Sequence, residues 1–303
     1  MKKYLFLITI FSTIVLSANC ENYEVVNKEY LYSFTHDNKV YKHDLDGNEV
    51  WQYSGHNDWV IAINVDNYGN VYSSSRNSEI HKLDKDGNLI WIYDGHDSRV
   101  FRIVFDENDN VYTASWDQTV HKINPEGNLI WKYAGHSDWV TGLAIDSEGN
   151  IYTSSIDNEV HKLNRDGNLL WKYTGHTDDV WNVKVDKENN IYTTSRDREV
   201  HKLDRNGNIL WRYTKHNSIA NGLAVNNNGN ILTGSTEVHN LDTNGNLIWK
   251  VQEFNQPVID LTLDSLDNVY IITYDKEFYK FDSNGKKIFQ FYSNVGGFAI
   301  GPG

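Results

Sequence analysis

Short hydrophobic runs separated by polar turns recur about every 40 residues along most of this chain. In one copy, the hydrophobic runs lie at residues 160–163, 169–173, 180–185 and 191–195, and turns rich in Asp, Asn and Gly separate them. Runs of this length, bounded by turn residues at intervals of about 8–12 residues, predict four short strands per repeat. No long apolar helical pattern appears beyond residue 20.

A tryptophan marks the same position on the predicted last strand of successive copies. The series comprises Trp51, Trp91, Trp131, Trp171, Trp211 and Trp249, and Phe289 closes it. A period of this length is typical of a solenoid, a propeller or an array. Seven copies of four antiparallel strands predict an all-β, seven-bladed β-propeller, which we place at residues 29–303.

The first copy lacks a strand of its own for the innermost position of its blade. With strands named a to d from the axis outward, this copy supplies only b, c and d, within residues 30–54. The segment 295–300 aligns with 140–145, which is a predicted strand a. We therefore expect the C-terminal segment to complete the first blade, which would close the ring and remove an open sheet edge. The alternative is that residues 23–26 supply this strand.

The first 20 residues have the organisation of a targeting segment. Two lysines precede an apolar stretch at residues 4–16, which is too short to span a bilayer well, and the sequence Leu-Ser-Ala-Asn-Cys ends at Cys20. This resembles a bacterial lipoprotein signal. The resemblance implies that residues 1–19 are removed and that Cys20 carries a lipid on a short tether of residues 20–28. We therefore expect an anchor in a membrane, outside the cytoplasm, in the periplasm or at the cell surface. An ordinary cleaved signal with an incidental cysteine is the alternative.

The charge balance narrows the class of partner. The formal net charge is -13 over 303 residues, whereas nucleic acids and anionic lipid surfaces are bound by basic patches. We therefore expect no nucleic-acid partner. The single cysteine also excludes an internal disulfide.

Histidine, serine and aspartate recur together, but in several copies. Catalysis by such a trio needs one special constellation, so its repetition argues against a hydrolase. The segment TASWDQTV at residues 113–120 and the Gly-His pair before it resemble the WD-repeat family. That resemblance implies a buried, structural hydrogen-bonded network in the blades. Its members would be His96, Ser115, Asp117, His136, Ser155, Asp157, His176, Ser195 and Asp197.

The pattern Gly-Asn-Leu-x-Trp-x-Tyr on predicted strand d resembles the repeats of quinoprotein-like propellers. The calcium and cofactor site of the quinone enzymes is not recognisable in this sequence, so we expect neither a cofactor nor a metal. A histidine also recurs on predicted strand c in five copies. These side chains would lie in separate blades and would not converge on one ion. We interpret them as packing between blades.

Four tryptophans outside the strand-d series map to one edge of the ring, where arginines also occur at variable positions. Tryptophan and arginine are enriched at binding hot spots. We therefore predict a face that binds a protein or peptide, on a non-enzymatic scaffold of the bacterial cell envelope whose oligomeric state stays open. This face comprises Trp59, Arg76, Arg99, Trp116, Trp139, Ile156, Asp179, Trp181 and Arg196.

Three other functions are compatible with these patterns. Exposed tryptophans would also stack on the sugar rings of a carbohydrate ligand. A lyase or hydrolase site at the channel mouth would use the polar residues of strand a, which are Arg102, Asn182, Lys184 and Asp260. Envelope propellers with similar repeats help to assemble outer-membrane proteins, and that role follows here only by analogy of fold.

Overall fold

The described residues fold into a closed ring of seven antiparallel, four-stranded sheets. The computed structural model describes residues 29–35, 37–44, 48–292 and 295–302. Each sheet of this part of the chain is one blade. The arrangement confirms the predicted all-β, seven-bladed propeller.

The predicted signal segment, the tether and the lipidation site Cys20 lie outside the described residues. Within the part of the chain that is described, no helix has the length and apolar character needed to cross a bilayer. The lipid anchor accordingly stays a prediction.

The two ends of the described chain meet in the first blade. This blade contains β1 (Glu29–Thr35), β2 (Lys39–Asp44), β3 (Glu49–Tyr53) and β28 (Val295–Pro302). The strand order is β28-β1-β2-β3, so the C-terminal strand takes the innermost position. Leu31 lies opposite Ile300 in this antiparallel pair. The predicted closure of the ring by the C-terminal segment is therefore confirmed.

The other six blades are each continuous in sequence. In chain order their strands are β4 (Val60–Val65), β5 (Val71–Ser75), β6 (Ile80–Leu83) and β7 (Leu89–Tyr93); β8 (Val100–Phe105), β9 (Val111–Ser115), β10 (Val120–Ile123) and β11 (Leu129–Tyr133); β12 (Val140–Ile145), β13 (Ile151–Ser155), β14 (Val160–Leu163) and β15 (Leu169–Tyr173); β16 (Val180–Val185), β17 (Ile191–Ser195), β18 (Val200–Leu203) and β19 (Ile209–Tyr213); β20 (Gly222–Val225), β21 (Ile231–Gly234), β22 (Val238–Leu241) and β23 (Leu247–Val251); β24 (Val258–Leu263), β25 (Val269–Thr273), β26 (Glu277–Phe281) and β27 (Lys287–Tyr292). Strands β14 to β17 have the bounds predicted from the hydrophobic runs.

The core lies between neighbouring blades rather than within one of them. All five residues of β9 are buried, whereas the first two residues of the peripheral strand β11 are exposed. Tyr72 of the second blade packs with Val100, Ile103 and Ile123 of the third. Each blade therefore depends on the next one to cover its apolar face, as expected for a repeat that cannot bury its core alone.

The Trp-x-Tyr pattern of strand d joins each of the first five blades to the following one. Trp91 Nε1 donates to the carbonyl oxygen of Pro125 at 2.9 Å, and Tyr93 Oη lies 2.7 Å from His121 Nδ1. The turn under this indole needs glycine, because Gly127 has a φ of +90° and a Cβ there would lie 3.1 Å from the Trp91 ring. The strand-c histidines therefore pack between blades, as predicted.

Candidate partner-binding face and central channel

The variable positions predicted to bind a partner lie in pairs on one edge of the ring. In each of four neighbouring blades, the backbone N–H of the residue after strand b donates to the carbonyl oxygen of the residue before strand a. These bonds join Arg76 to Trp59 (2.9 Å), Trp116 to Arg99 (2.9 Å), Ile156 to Trp139 (3.1 Å) and Arg196 to Asp179 (2.8 Å). The regular backbone thus presents irregular side chains on a common face.

Two of these pairs are cation–π contacts. The guanidinium carbon of Arg76 lies 4.9 Å from the Trp59 ring centroid, and that of Arg99 lies 4.8 Å from the Trp116 ring centroid. Contacts of this kind hold a long arginine side chain against a flat ring. Trp59 is 44% exposed, so its pair with Arg76 lies at the protein surface.

An aromatic stack joins the third and fourth blades. The Trp116 and Trp139 rings are parallel within 5°, and their centroids are 4.0 Å apart. Phe101 also stacks on Trp116, at 5.6 Å. Together with Arg99, these side chains form one continuous layer. We call Arg99, Phe101, Trp116 and Trp139 the stacked face.

Trp116 differs from the framework tryptophans in its hydrogen bonding. Its buried Nε1 has no hydrogen-bond partner among the described residues, whereas the indole of Trp91 donates to the next blade. A buried donor without a partner costs about 1–3 kcal/mol, and native proteins keep few such groups. The Trp116 position is therefore not explained by stability alone.

The side chains of the other residues of the predicted face do not extend the aromatic stack. Arg196 Nη1 and Asp179 Oδ2 form a surface ion pair at 2.9 Å, a type of contact worth about 1 kcal/mol at most. Ile156 is half-buried. Trp181 is half-buried in β16, at the strand position equivalent to Phe101. In the part of the chain that is described, no ring contact links Trp181 to the stacked face.

The repeated histidine and aspartate meet inside the blades. His96 Nδ1 lies 2.8 Å from Asp117 Oδ2, and His96 Nε2 lies 2.8 Å from Thr113 Oγ1. Burial alone would raise the pKa of Asp117, but the hydrogen bond and charge of His96 hold it well below its ordinary value. The pairs His136–Asp157 and His176–Asp197 repeat this geometry at 2.8 Å. Both ring nitrogens of His96 are thus engaged within its own blade.

The serines of the predicted network do not contact these histidines. Ser115 Oγ donates to the carbonyl oxygen of Ser98 at 3.1 Å and accepts from the Asp117 N–H at 3.0 Å. Ser155 and Ser195 make the equivalent bonds. The hydroxyl that reaches the histidine lies two residues earlier along strand b. The sequence does contain a signal for it, a constant hydroxyl column at Ser73, Thr113, Thr153, Thr193 and Thr233.

The second and sixth blades lack the aspartate and use the serine in its place. His56 Nδ1 lies 3.1 Å from Ser75 Oγ, and His216 Nδ1 lies 3.1 Å from Ser235 Oγ. With no carboxylate in that position, burial lowers the pKa of both histidines to about 3. The network therefore tolerates the loss of its charged member.

The buried histidine pairs do not fit a metal ion. Ligand atoms of His96, Asp117 and His121 lie within 4.8 Å of one another, and the fourth blade repeats the group. However, the His96 and His121 rings are stacked at 3.7 Å and 9°. Parallel rings do not direct their nitrogens at one point, as tetrahedral coordination requires. Their nitrogens already bond to Asp117, Thr113, Tyr93 and Thr119.

Polar residues of the inner strands converge on the central channel. A cavity of about 270 Å³ lies there, and its lining includes Arg102, Asn182, Lys184 and Asp260. Arg102 Nη2 donates to Asn182 Oδ1 at 2.9 Å, two blades away. Lys184 is exposed to the open channel, whereas Asp260 is half-buried there and desolvation raises its pKa. The structure therefore brings together the four strand-a residues that the sequence placed at the channel.

Comparison with known proteins assigns the repeats to a family. The profile of the family described as outer membrane protein assembly factor BamB matches residues 76–196, 116–221 and 196–299, which together cover most of the ring. The chain belongs to this family. No curated protein matches this member of the BamB family significantly.

A solved structure shares the fold of this BamB-family chain. The crystal structure of the WD40 beta propeller domain of Doa1 has a TM-score of 0.73 and 19% sequence identity, and the match covers 83% of this chain and 88% of that chain. At this identity the similarity concerns the fold alone. The resemblances to WD repeats and to quinoprotein-like repeats are thus both confirmed at the level of the blade.

Proposed function

We propose that this BamB-family propeller is a non-enzymatic scaffold of the bacterial cell envelope that binds a protein or peptide through the stacked face. The observation that carries the proposal is the Trp116–Trp139 stack, which spans two blades at 4.0 Å and leaves Trp139 37% exposed. Aromatic rings that are fixed before binding lose little conformational entropy when a partner docks.

Arginines add charged hydrogen-bond donors to the aromatic surface of this face. Arg76 and Arg99 lie over indole rings, where their planar guanidinium groups present donors suited to carboxylate and carbonyl oxygens. The whole chain is acidic, with a net charge of -13, so these two arginines are the groups on this face that would attract an acidic side chain. A partner segment with an apolar side chain next to an acidic one would fit it best.

The placement of the titratable groups supports a role without catalysis. His96 and Asp117 bond to each other inside the third blade, and two further blades repeat the pair. Nucleophilic catalysis needs a nucleophile and a base that meet a substrate together. The side chains of His96, His136 and His176 are fully buried.

The family match supports the cellular context. Its description names the assembly of outer membrane proteins, a process in which a rigid propeller would serve as a docking surface for another protein. The predicted lipid at Cys20 would keep the ring close to a membrane, because only the short tether of residues 20–28 separates the two.

A crosslinking pull-down from native envelopes tests the proposal. Trp139→Ala removes the exposed ring of the stacked face. Tyr68→Ala is the matched control, because Tyr68 is 66% exposed and lies on the turn between strands a and b, at the opposite edge of the ring. We expect wild type and Tyr68→Ala to capture the same protein and Trp139→Ala to lose it, with thermal unfolding showing that all three proteins are folded at the temperature of the assay.

The other outcomes contradict the proposal in distinguishable ways. Capture of the same protein by all three variants would show that the partner uses another surface. Failure of wild type to capture any protein would remove the scaffold role. A glycan array on which wild type binds and Trp139→Ala does not would then establish carbohydrate binding instead.

A further inference from the structure

One aligned position of the inner strands, the one that Arg102 occupies in β8, does not follow the repeated pattern of the fold. In four blades this position holds a small residue, and in three it holds a polar one. The small residues are Ala62, Gly142, Gly222 and Gly297, and the polar ones are Arg102, Asn182 and Asp260. Four blades therefore form without a polar group there, so the blade architecture does not account for the polar three.

The polar residues meet across a blade that has glycine at this position. A Cβ on Gly142 would clash with Ser154 Oγ of its own blade and would lie 3.1 Å from Asn182 Cα in the next blade. Across the blade of Gly142, Arg102 donates to Asn182 Oδ1 at 2.9 Å. The guanidinium is thereby held in one orientation at the cavity wall.

Most of the charged donors in the channel are not used by the protein itself. Besides the bond to Asn182, Arg102 donates to the Phe101 carbonyl oxygen at 3.1 Å, and a guanidinium has five N–H groups. The Lys184 ammonium has no hydrogen-bond or ion-pair partner among the described residues, and Asp260 accepts only from the Leu261 N–H at 3.0 Å. Asp260 forms no ion pair with Arg102 or Lys184 in the part of the chain that is described. Lys184 is exposed to the open channel, and Arg102 and Asp260 are half-buried, so a ligand that enters the channel meets cationic donors that the protein leaves free.

We propose that the central channel binds one carboxylate group between Arg102 and Lys184. Asn182 holds the guanidinium in place, and Asp260 limits the charge that the site accepts. Two cations and one carboxylate leave a net charge of about +1, which a single carboxylate neutralises. A dianionic phosphate would exceed that balance and would be repelled by Asp260. The planar guanidinium also matches the geometry of a carboxylate.

The carboxylate has two possible sources, a small free acid or an acidic side chain of a bound segment. The channel adjoins the stacked face, because Phe101 lies 5.6 Å from the Trp116 ring and 5.2 Å from the Arg102 guanidinium carbon. A side chain from a docked segment would therefore find the site next to it. The channel site does not depend on the proposed scaffold role, since none of its charged groups belongs to the stacked face.

Calorimetric titration in a carboxylate-free and phosphate-free buffer tests this inference. The probes are acetate, inorganic phosphate, and a blocked pentapeptide with a single central Glu, together with its Gln counterpart. We expect at least one carboxylate probe to bind wild type, with phosphate and the Gln peptide about tenfold or more weaker. A Glu peptide that binds well above acetate identifies a protein segment as the source, and similar affinities identify a small acid.

Four variants make the test specific to the channel. Lys184→Met is expected to weaken carboxylate binding about tenfold or more, and Asp260→Asn is expected to strengthen it severalfold. Lys187→Met is the control, because Lys187 is exposed on the neighbouring turn outside the cavity lining, and it is expected to bind like wild type. Trp139→Ala should leave acetate binding unchanged, which separates this site from the scaffold role.

The inference is overturned if wild type binds neither acetate nor the Glu peptide. Binding of phosphate as tight as that of the carboxylates would also overturn it. The same holds if folded Lys184→Met binds as wild type does, because the carboxylate would then lie elsewhere.

Discussion

Trp116 and Trp139 lie ring on ring at 4.0 Å, although they belong to neighbouring blades and are 23 positions apart in the chain. Trp116 follows strand b of the third blade, and Trp139 precedes strand a of the fourth. The contact thus ties two loops that the backbone alone would leave independent. It creates a rigid aromatic surface where the repeats otherwise differ.

A double-mutant cycle on this pair should reveal a favourable coupling. We expect Trp116→Ala to cost about 1–3 kcal/mol in the free energy of unfolding, and Trp139→Ala less, because Trp139 is more exposed. The coupling between the two changes should be about 0.5–1.5 kcal/mol. Chemical denaturation of the four proteins measures it. Additive effects would show that the rings do not stabilise each other.

Removing a carboxylate at the position of Asp117 and adding one at the equivalent Asn77 should have opposite effects on the free energy of unfolding. Asp117→Asn removes the charged partner of His96 and should lower the free energy of unfolding by about 1.5–3 kcal/mol. Asn77 occupies the equivalent position in the second blade, where His56 bonds to Ser75 instead. We expect Asn77→Asp to stabilise the protein and to raise the pKa of His56 above about 3. NMR titration of His56 and thermal unfolding check both, and a destabilised Asn77→Asp would contradict the account.

The hydrogen bond between Tyr93 and His121, which joins two neighbouring blades, should contribute measurably to the free energy of unfolding. Tyr93→Phe removes the hydroxyl that lies 2.7 Å from His121 Nδ1 and leaves a buried ring nitrogen without that partner. We expect a loss of about 1–3 kcal/mol in the free energy of unfolding. Tyr292→Phe is the control, because Tyr292 is 68% exposed, and it should have little effect. Equal effects of the two changes would refute the role of Tyr93.

Stability should fall in mild acid because of the buried neutral histidines. Burial lowers the pKa of His121 to about 3, and it lowers the pKa values of His161 and His201 to about 4. In the unfolded chain these groups titrate near 6.5. The unfolded state therefore binds more protons between pH 6.5 and the folded-state pKa values, so the free energy of unfolding decreases as pH falls through this range. Each such histidine contributes about 1–2 kcal/mol of loss between pH 7 and 5. Denaturation midpoints that do not change between pH 7 and 5 would contradict this.

The blade itself could be predicted because its signals are local and repeated. The runs at 160–163 and 169–173 carry turn residues on both sides, and the strands β14 and β15 end where those turns begin. The closure of the ring could also be predicted from the sequence, because the segment 295–300 aligns with a complete inner strand of another copy. Local patterns that occur in several copies leave little room for other folds.

The side-chain contacts between repeats could not be predicted from the sequence in the same way. Alignment places Trp116 and Trp139 in different copies, so it shows neither that their rings meet nor that Phe101 joins them. Thr113 was missed as the partner of His96 because the resemblance drew attention to Ser115, whose hydroxyl bonds to the backbone instead. These outcomes depend on side-chain directions across a loop, which neither periodicity nor spacing determines.

Site-specific photocrosslinking most directly tests the central claim that the stacked face binds a protein partner. A photoreactive phenylalanine analogue would replace Trp139 in one protein and Tyr68, on the opposite edge, in another. We predict a discrete crosslinked protein in envelopes from position 139 and none from position 68. Crosslinking to the same protein from position 68 but not from 139 would contradict the assignment of the binding face.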